Sequence, residues 1–263
     1  GSEGVVADRE VGPAIPIQHG RLCSTVKMQR TRRPSLLQPR RSGSLSTGNR
    51  SGNTCYHSCM LIVANWKAYV EDLAKAKKLF ALAKRLARVS GATIVLAPPA
   101  PLLGTLAAGN KSPVAFAAQD VSRTTGGAQT GEITAQTYAT AGATYAIIGH
   151  SERRAAGDTN LVVAEKLAHV LVHGLIPILC IGENEPLWAI GKTATAAIKP
   201  DGLAEMVLYI RKVLAELLPG KSSRESLVLY GGSVEPSDVR DLAATSSVDG
   251  FLVGHASVDA HTF

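Results

Sequence analysis

The chain has 263 residues, 45% of them hydrophobic, with mean hydropathy +0.10 and a formal net charge of +7. That length admits one large α/β barrel or two ordinary domains, and no run of about 18 uncharged apolar residues exists to form a membrane-spanning helix. Residues 1–59 hold nine Lys/Arg against three Asp/Glu, while the other 19 Lys/Arg face 18 Asp/Glu, so the globular part is almost neutral and its charge argues against a nucleic-acid or membrane-surface partner.

Residues 1–59 lack hydrophobic periodicity and are rich in Arg, Ser, Gly and Pro, a composition that cannot offset its ordering entropy; disorder is the expectation. The opening Gly-Ser resembles the scar of a tag, and Met60 stands where an initiator would, which favours a tag, leader or misplaced start. Residues 21–59 contain no acid, as in an organellar transit peptide. A nucleic-acid-binding arm lacks interleaved aromatic residues for stacking. Three of the four cysteines (Cys23, Cys55, Cys59) lie here, leaving Cys180 alone in the body. A reducing compartment, the cytoplasm, follows, with an organelle as the alternative if the segment is a transit peptide.

From residue 60 to 263 one barrel domain is expected. Its first β-type run is LIVAN (61–65), followed by the amphipathic stretch 70–89, in which Leu73, Ala76, Leu79 or Phe80, Ala83 and Leu86 form a stripe at helical spacing. Further runs are TIVLAPP (93–99), VAFAAQD (114–120), YAIIGHS (145–151), IPILCIGE (176–183), LVLYGGS (227–233) and GFLVGHA (250–256), with a second amphipathic stretch at 203–218. Their near-continuous hydrophobicity suits parallel strands covered on both faces. Strands alternating with helices imply βαβ units, in a doubly wound sheet or a (β/α)8 barrel. Polar residues cluster where strands end, at Asn65, Lys67, Gln119, His150, Glu152, Glu183 and Ser233, and the first strand opens into ANWKAY without a glycine-rich turn. Both features favour the barrel.

ANWK, IIGHSERR, EPLWAIG…KTA, LYGGSV and GFLVGHAS follow one another on successive strands. In that order they resemble the triosephosphate isomerase family, from about Leu61 to Phe263. The resemblance implies interconversion of dihydroxyacetone phosphate and glyceraldehyde 3-phosphate by proton transfer through an enediolate. It implies Lys67 as the cation, with Asn65 beside it. His150 becomes the electrophile, its imidazole neutral, a well-known case of pKa tuning in this family. Glu152 becomes a neighbour bonding near Lys67, and Glu185, ahead of PLWAIG, the catalytic base. Backbone N–H groups of Gly191, Ser233, Gly254 and His255 fall at the phosphate site. Pro186 to Trp188 and Lys192 to Ala194 match the hinges of a closing lid. The loop 126–132, GGAQTGE, resembles the arm through which the family forms homodimers, Thr130 reaching toward the partner's site. No metal or organic cofactor is implied, as no ligand cluster at metal spacing is present.

The chain departs from the family pattern between Glu183 and Glu185. A helix and a strand, about 30 residues or more, belong there. Instead the two carboxylates are two residues apart, at most about 7 Å along an extended chain. Either the barrel is one βα unit short or one strand runs straight into the lid; both displace Glu185 and lower activity. The lid tip is two residues shorter than usual, His255 replaces a glycine, and the sequence stops at Phe263 before most of the expected last helix. The competing functional reading is a non-catalytic barrel remnant that binds phosphorylated ligands or protein partners.

Overall fold

A computed structural model describes residues 60–181, 199–218, 220–232 and 234–260. Its framework is one sheet of seven parallel strands: β1 (Leu61–Asn65), β2 (Thr93–Ala97), β3 (Ala115–Ala118), β4 (Tyr145–Ile148), β5 (Ile176–Leu179), β6 (Leu229–Tyr230) and β7 (Gly250–Val253). The order across the sheet is β5-β4-β3-β2-β1-β7-β6. Neighbours in sequence are neighbours in space, and the last strand pairs with the first, as barrel closure demands; a doubly wound sheet would reverse its order partway. Among the described residues β5 and β6 each have only one partner and do not pair with each other, an arrangement consistent with a TIM-type (β/α) barrel one unit short.

The closing seam is tight. Gly250 pairs with Leu61, and a Cβ added to Gly250 would lie 1.9 Å from the Leu61 carbonyl oxygen. Only glycine tolerates that approach.

The intervening helices are α1 (Leu73–Val89), α2 (Ala100–Ala107), α3 (Ala135–Thr140), α4 (Ser151–Ala155), α5 (Asn160–Val172), α6 (Pro200–Leu217), α7 (Lys221–Glu225) and α8 (Val239–Ser246). Helix α1 starts at Asp72, whose carboxylate accepts the Lys75 N–H at 2.7 Å and satisfies a donor the helix leaves open. It buries Ala76, Leu79, Phe80 and Ala83, the middle of the expected stripe; Leu73, at its start, stays exposed.

Side-chain alternation divides the core into an inner and an outer layer. Leu61, Val63, Val95, Ala97, Ala117 and Ile147 pack together inside the sheet's curve. Ala64, Leu96, Phe116, Ala146 and Ile148, one residue out of phase, pack outward beneath helices α1, α2, α3 and α5. Phe251 and Val253 face α6 and α8 in a third cluster with Leu203 and Val207.

Two expectations need correction. Strands are shorter than the hydrophobic runs: the sixth run yields a two-residue strand, and the fifth ends at Leu179 rather than residue 183. Coverage on both faces fails for β5, where Ile176 and Leu179 are 52% and 45% exposed. The physical reason is its edge position: among the described residues β4 is its one partner strand. The alternative of one strand running on toward the lid falls on residues 182–188, outside the described residues; Cys180, just past the strand, still donates its N–H to the Ile148 carbonyl at 2.8 Å.

Candidate active site

The inner-layer alternation decides what reaches the mouth at the strands' C-terminal ends. With Leu61 and Val63 facing inward, Asn65 follows on the same face and is 4% exposed. Ala117 inward puts Gln119 there by the same period of two. β4 ends at Ile148, and Gly149 and His150 turn from the strand into α4, with His150 as its capping residue.

Lys67 sits in the left-handed region with φ +47°, a conformation costing a non-glycine residue about 1–2 kcal/mol. Two side chains hold it. Asn65 Oδ1 accepts the Lys67 N–H at 3.1 Å, and Gln119 Nε2 donates to the carbonyls of Lys67 and Ala97, both at 2.9 Å. The Lys67 ammonium then lies 2.9 Å from Glu152 Oε1. Gly254 is alongside: a Cβ placed on it would lie 3.6 Å from Lys67 Cε.

His150 Nδ1 accepts the backbone N–H of Glu152 at 3.3 Å, which leaves Nδ1 without a proton and puts it on Nε2. Glu152 Oε2 approaches Nδ1 to 3.6 Å, a distance that would count as an ion pair only for a protonated ring. Burial decides between the two. Desolvation pulls the His150 pKa below its ordinary value; the Glu152 carboxylate opposes that shift, and the Lys67 ammonium reinforces it. The ring is therefore neutral near pH 7, with Glu152 engaged by Lys67. The mouth presents an ammonium and an uncharged N–H donor side by side, a pair suited to polarising one carbonyl without placing two full charges against each other.

Several contributors had no distinct signal in the sequence. Gln119 was visible only as one polar strand end among many. Arg154 donates Nε to the Gly149 carbonyl at 2.8 Å and Nη1 to Asn160 Oδ1 at 2.8 Å, with Nη2 3.5 Å from the Cys180 carbonyl. It thereby fastens the end of β4 to the turn after β5. Gly149, at φ +71°, leaves room for that guanidinium: an added Cβ would lie 3.0 Å from Arg154 Nη2. Below α4, Lys166 is buried between Asp120 and Asp158 at 2.7 and 2.6 Å, and Arg153 reaches Asp120 at 2.8 Å. These pairs tie the helix that carries Glu152 to α5 and to the segment after β3.

The structure thus gathers Asn65, Lys67, His150, Glu152 and Gly254. His255 begins a short 3₁₀ turn (His255–Val258), exposed, its ring 5.3 Å from that of Tyr69. Glu185, Gly191 and Ser233, with Glu183 and both expected lid hinges, lie outside the described residues. Residues 126–132 form an exposed loop, turned by Gly126, Gly127 and Gly131 at positive φ. Among the described residues no group of three or more His, Cys, Asp or Glu is placed to hold a metal ion.

The sequence model of a family described as triosephosphate isomerase matches residues 60–185 and, separately, 184–263. The two matched stretches meet at residues 184–185, between β5 and β6 in the sequence. Proteins named triosephosphate isomerase from Shewanella denitrificans, Shewanella baltica and Shewanella putrefaciens are each 36% identical over 250 residues, covering 77% of this chain and 94% of the relative. Since 77% of 263 residues is about 203, about 47 of the 250 aligned positions have no residue in this chain.

Proposed function

The chain belongs to the triosephosphate isomerase family, and from that membership we propose that it interconverts dihydroxyacetone phosphate and glyceraldehyde 3-phosphate. The observation that carries the reading is the convergence of Lys67 and His150 on one mouth, joined through the Glu152 carboxylate at 2.9 and 3.6 Å.

In this reading the substrate's carbonyl and hydroxyl oxygens face the Lys67 ammonium and the His150 Nε2–H. The Glu185 carboxylate removes the proton from C1, and the electron pair of that C–H bond forms the C1–C2 double bond of an enediolate. Negative charge develops on the oxygen at C2, where the imidazole and the ammonium stabilise it. The ring passes a proton between the two oxygens. Glu185 returns its proton to C2, and the aldose results with atoms and charge balanced. Backbone N–H groups of Gly191, Ser233, Gly254 and His255 hold the phosphate, and the segment between Pro186 and Ala194 closes over it. The absent βα unit displaces Glu185, and a displacement of about 1 Å costs about 100-fold in rate. Turnover is correspondingly below that of a chain with the unit restored.

Two finer features belong to the same proposal. The exposed loop 126–132 pairs two copies into a homodimer. The cytoplasm is the setting, supported by the lone body cysteine, Cys180. Among the described residues no helix is long and apolar enough to cross a membrane.

A coupled assay of triose phosphate turnover tests the function. The expected result is measurable isomerisation by this chain that Lys67→Ala and Glu185→Asp each abolish. A rate equal to the uncatalysed background, both here and after the unit is restored, overturns the reading.

A further inference from the structure

We propose that the groove between α1 and the α2–β3 turn binds a small anion carrying a diphosphate group, at a site separate from the mouth that holds Lys67 and His150. The separation follows from chain direction. The mouth residues follow the C-terminal ends of strands, whereas the last turn of α1 leads into the start of β2 and the turn after α2 leads into the start of β3. The groove therefore lies at the opposite end of the sheet.

Its volume is about 320 Å³, and it is lined by Lys84, Arg88 and Lys111 together with Phe80 and Leu106, without an Asp or Glu. Such a volume sits at the small end of ligand sites, which favours a small molecule over a protein segment. Three cations without a counter-charge select a ligand with high negative charge in little space. A diphosphate meets that requirement better than a dicarboxylate, and the planar fork of Arg88 matches phosphate oxygens in pairs.

The surroundings sharpen the charge. Helix α1 carries Lys75, Lys77, Lys78, Lys84, Arg85 and Arg88 and no acid. Residues 60–263 have a net charge of +1, so with +6 on α1 the remainder carries −5. Helices commonly set opposite charges three or four residues apart; here Lys84 and Arg88, and Arg85 and Arg88, are like-charged neighbours at those spacings. Among the described residues no ion pair reaches any of the six. An anion in the groove relieves that field.

Two elements of the groove are set before a ligand arrives. Lys84 Nζ rests 4.6 Å from the centroid of the Phe80 ring, which fixes the ammonium over an aromatic face. Lys111 belongs to a braced turn. Gly109 enters it at φ +67°, Asn110 Nδ2 donates to the Val114 carbonyl at 2.8 Å, and Asn110 Oδ1 accepts from the Ser112 N–H and hydroxyl at 2.9 and 2.7 Å. Groups already ordered lose less freedom on binding.

Calorimetric titration of the full chain with inorganic pyrophosphate, and separately with ADP, at about 0.15 M salt tests the site. Pyrophosphate binding at the groove is expected, weakened at least tenfold in Lys84→Gln/Lys111→Gln and kept within about threefold in Lys84→Arg. Tighter ADP than pyrophosphate assigns the groove to a nucleotide, and the reverse to a free diphosphate; either supports the proposal. Lys77→Gln/Lys78→Gln removes the same charge from α1 away from the groove. An equal loss in that variant reduces the effect to general screening and overturns the site. Binding unchanged in Lys84→Gln/Lys111→Gln, or absent for both probes, overturns it as well. Melting curves of each variant separate lost binding from lost folding.

Discussion

Lys67 and Glu152, 85 residues apart in sequence, meet at 2.9 Å across the mouth of the sheet. The pair joins the end of the first strand to the helix after the fourth, and the Glu152 side chain is 59% exposed. An exposed pair of this kind contributes about 0–1 kcal/mol to stability. Its value lies in where it holds the ammonium. Glu152→Gln should shift the melting midpoint by no more than about 3 °C, yet lower kcat by about tenfold or more with little change in KM. A purely structural pair would show the opposite, a lowered midpoint with unchanged kinetics.

The left-handed conformation of Lys67 sets stability against activity. Glycine accepts φ +47° without steric cost, so Lys67→Gly should be no less stable than the parent, and more stable by up to about 1 kcal/mol, while losing turnover. Gln119→Ala removes the donor that holds the Lys67 carbonyl and should destabilise by about 1 kcal/mol. In the Lys67→Gly background that cost should shrink, because the strain it opposes is gone. Chemical denaturation of the four chains measures the coupling; strictly additive costs would refute it.

His150 gives the fold an acid-sensitive group. Its folded pKa is below the ordinary value of 6.5, so the unfolded chain takes up a proton first as pH falls. Its contribution is fully present above about pH 6.5 and is lost as pH falls through the folded pKa. Denaturation midpoints between pH 7.5 and 5 should therefore decline more steeply for the parent than for His150→Gln. Parallel profiles would place the acid sensitivity elsewhere.

The open edge predicts behaviour in solution. Ile176, Leu179 and Ile181 are exposed along and just beyond β5, whose outer backbone groups have no partner strand among the described residues. Unpaired edges template association. Light scattering should rise with protein concentration, and Leu179→Lys should suppress it without lowering the melting midpoint. Restoring a helix and a strand between Glu183 and Glu185 should suppress it further and raise turnover by about 100-fold. Equal turnover in the two chains would remove the displacement argument.

Much of this was legible before any coordinates. The alternation of apolar runs with amphipathic stretches named the fold class, because parallel strands buried on both faces and helices buried on one leave different periodicities. The motifs ANWK, with Lys67, and GHSERR, with His150 and Glu152, carried the family resemblance from which the proposed roles come, and the departure from the family pattern was legible as a single residue between Glu183 and Glu185. These are properties of order and spacing along the chain, which sequence records directly.

What only the tertiary structure decided are relationships between residues distant in sequence. That β1 pairs with β7 while β5 and β6 do not pair with each other among the described residues, that Gln119 anchors Lys67, and that Arg154 spans from Gly149 to Cys180 could not be read from spacing. Nor could spacing show what favours a neutral His150, its burial and the Lys67 ammonium from another element, which together outweigh the opposing Glu152 carboxylate. Hydrophobic pattern says that a face is buried, not against what; hydrogen bonds and pKa values depend on distances of a few ångströms, which arise only when strands and helices take their places.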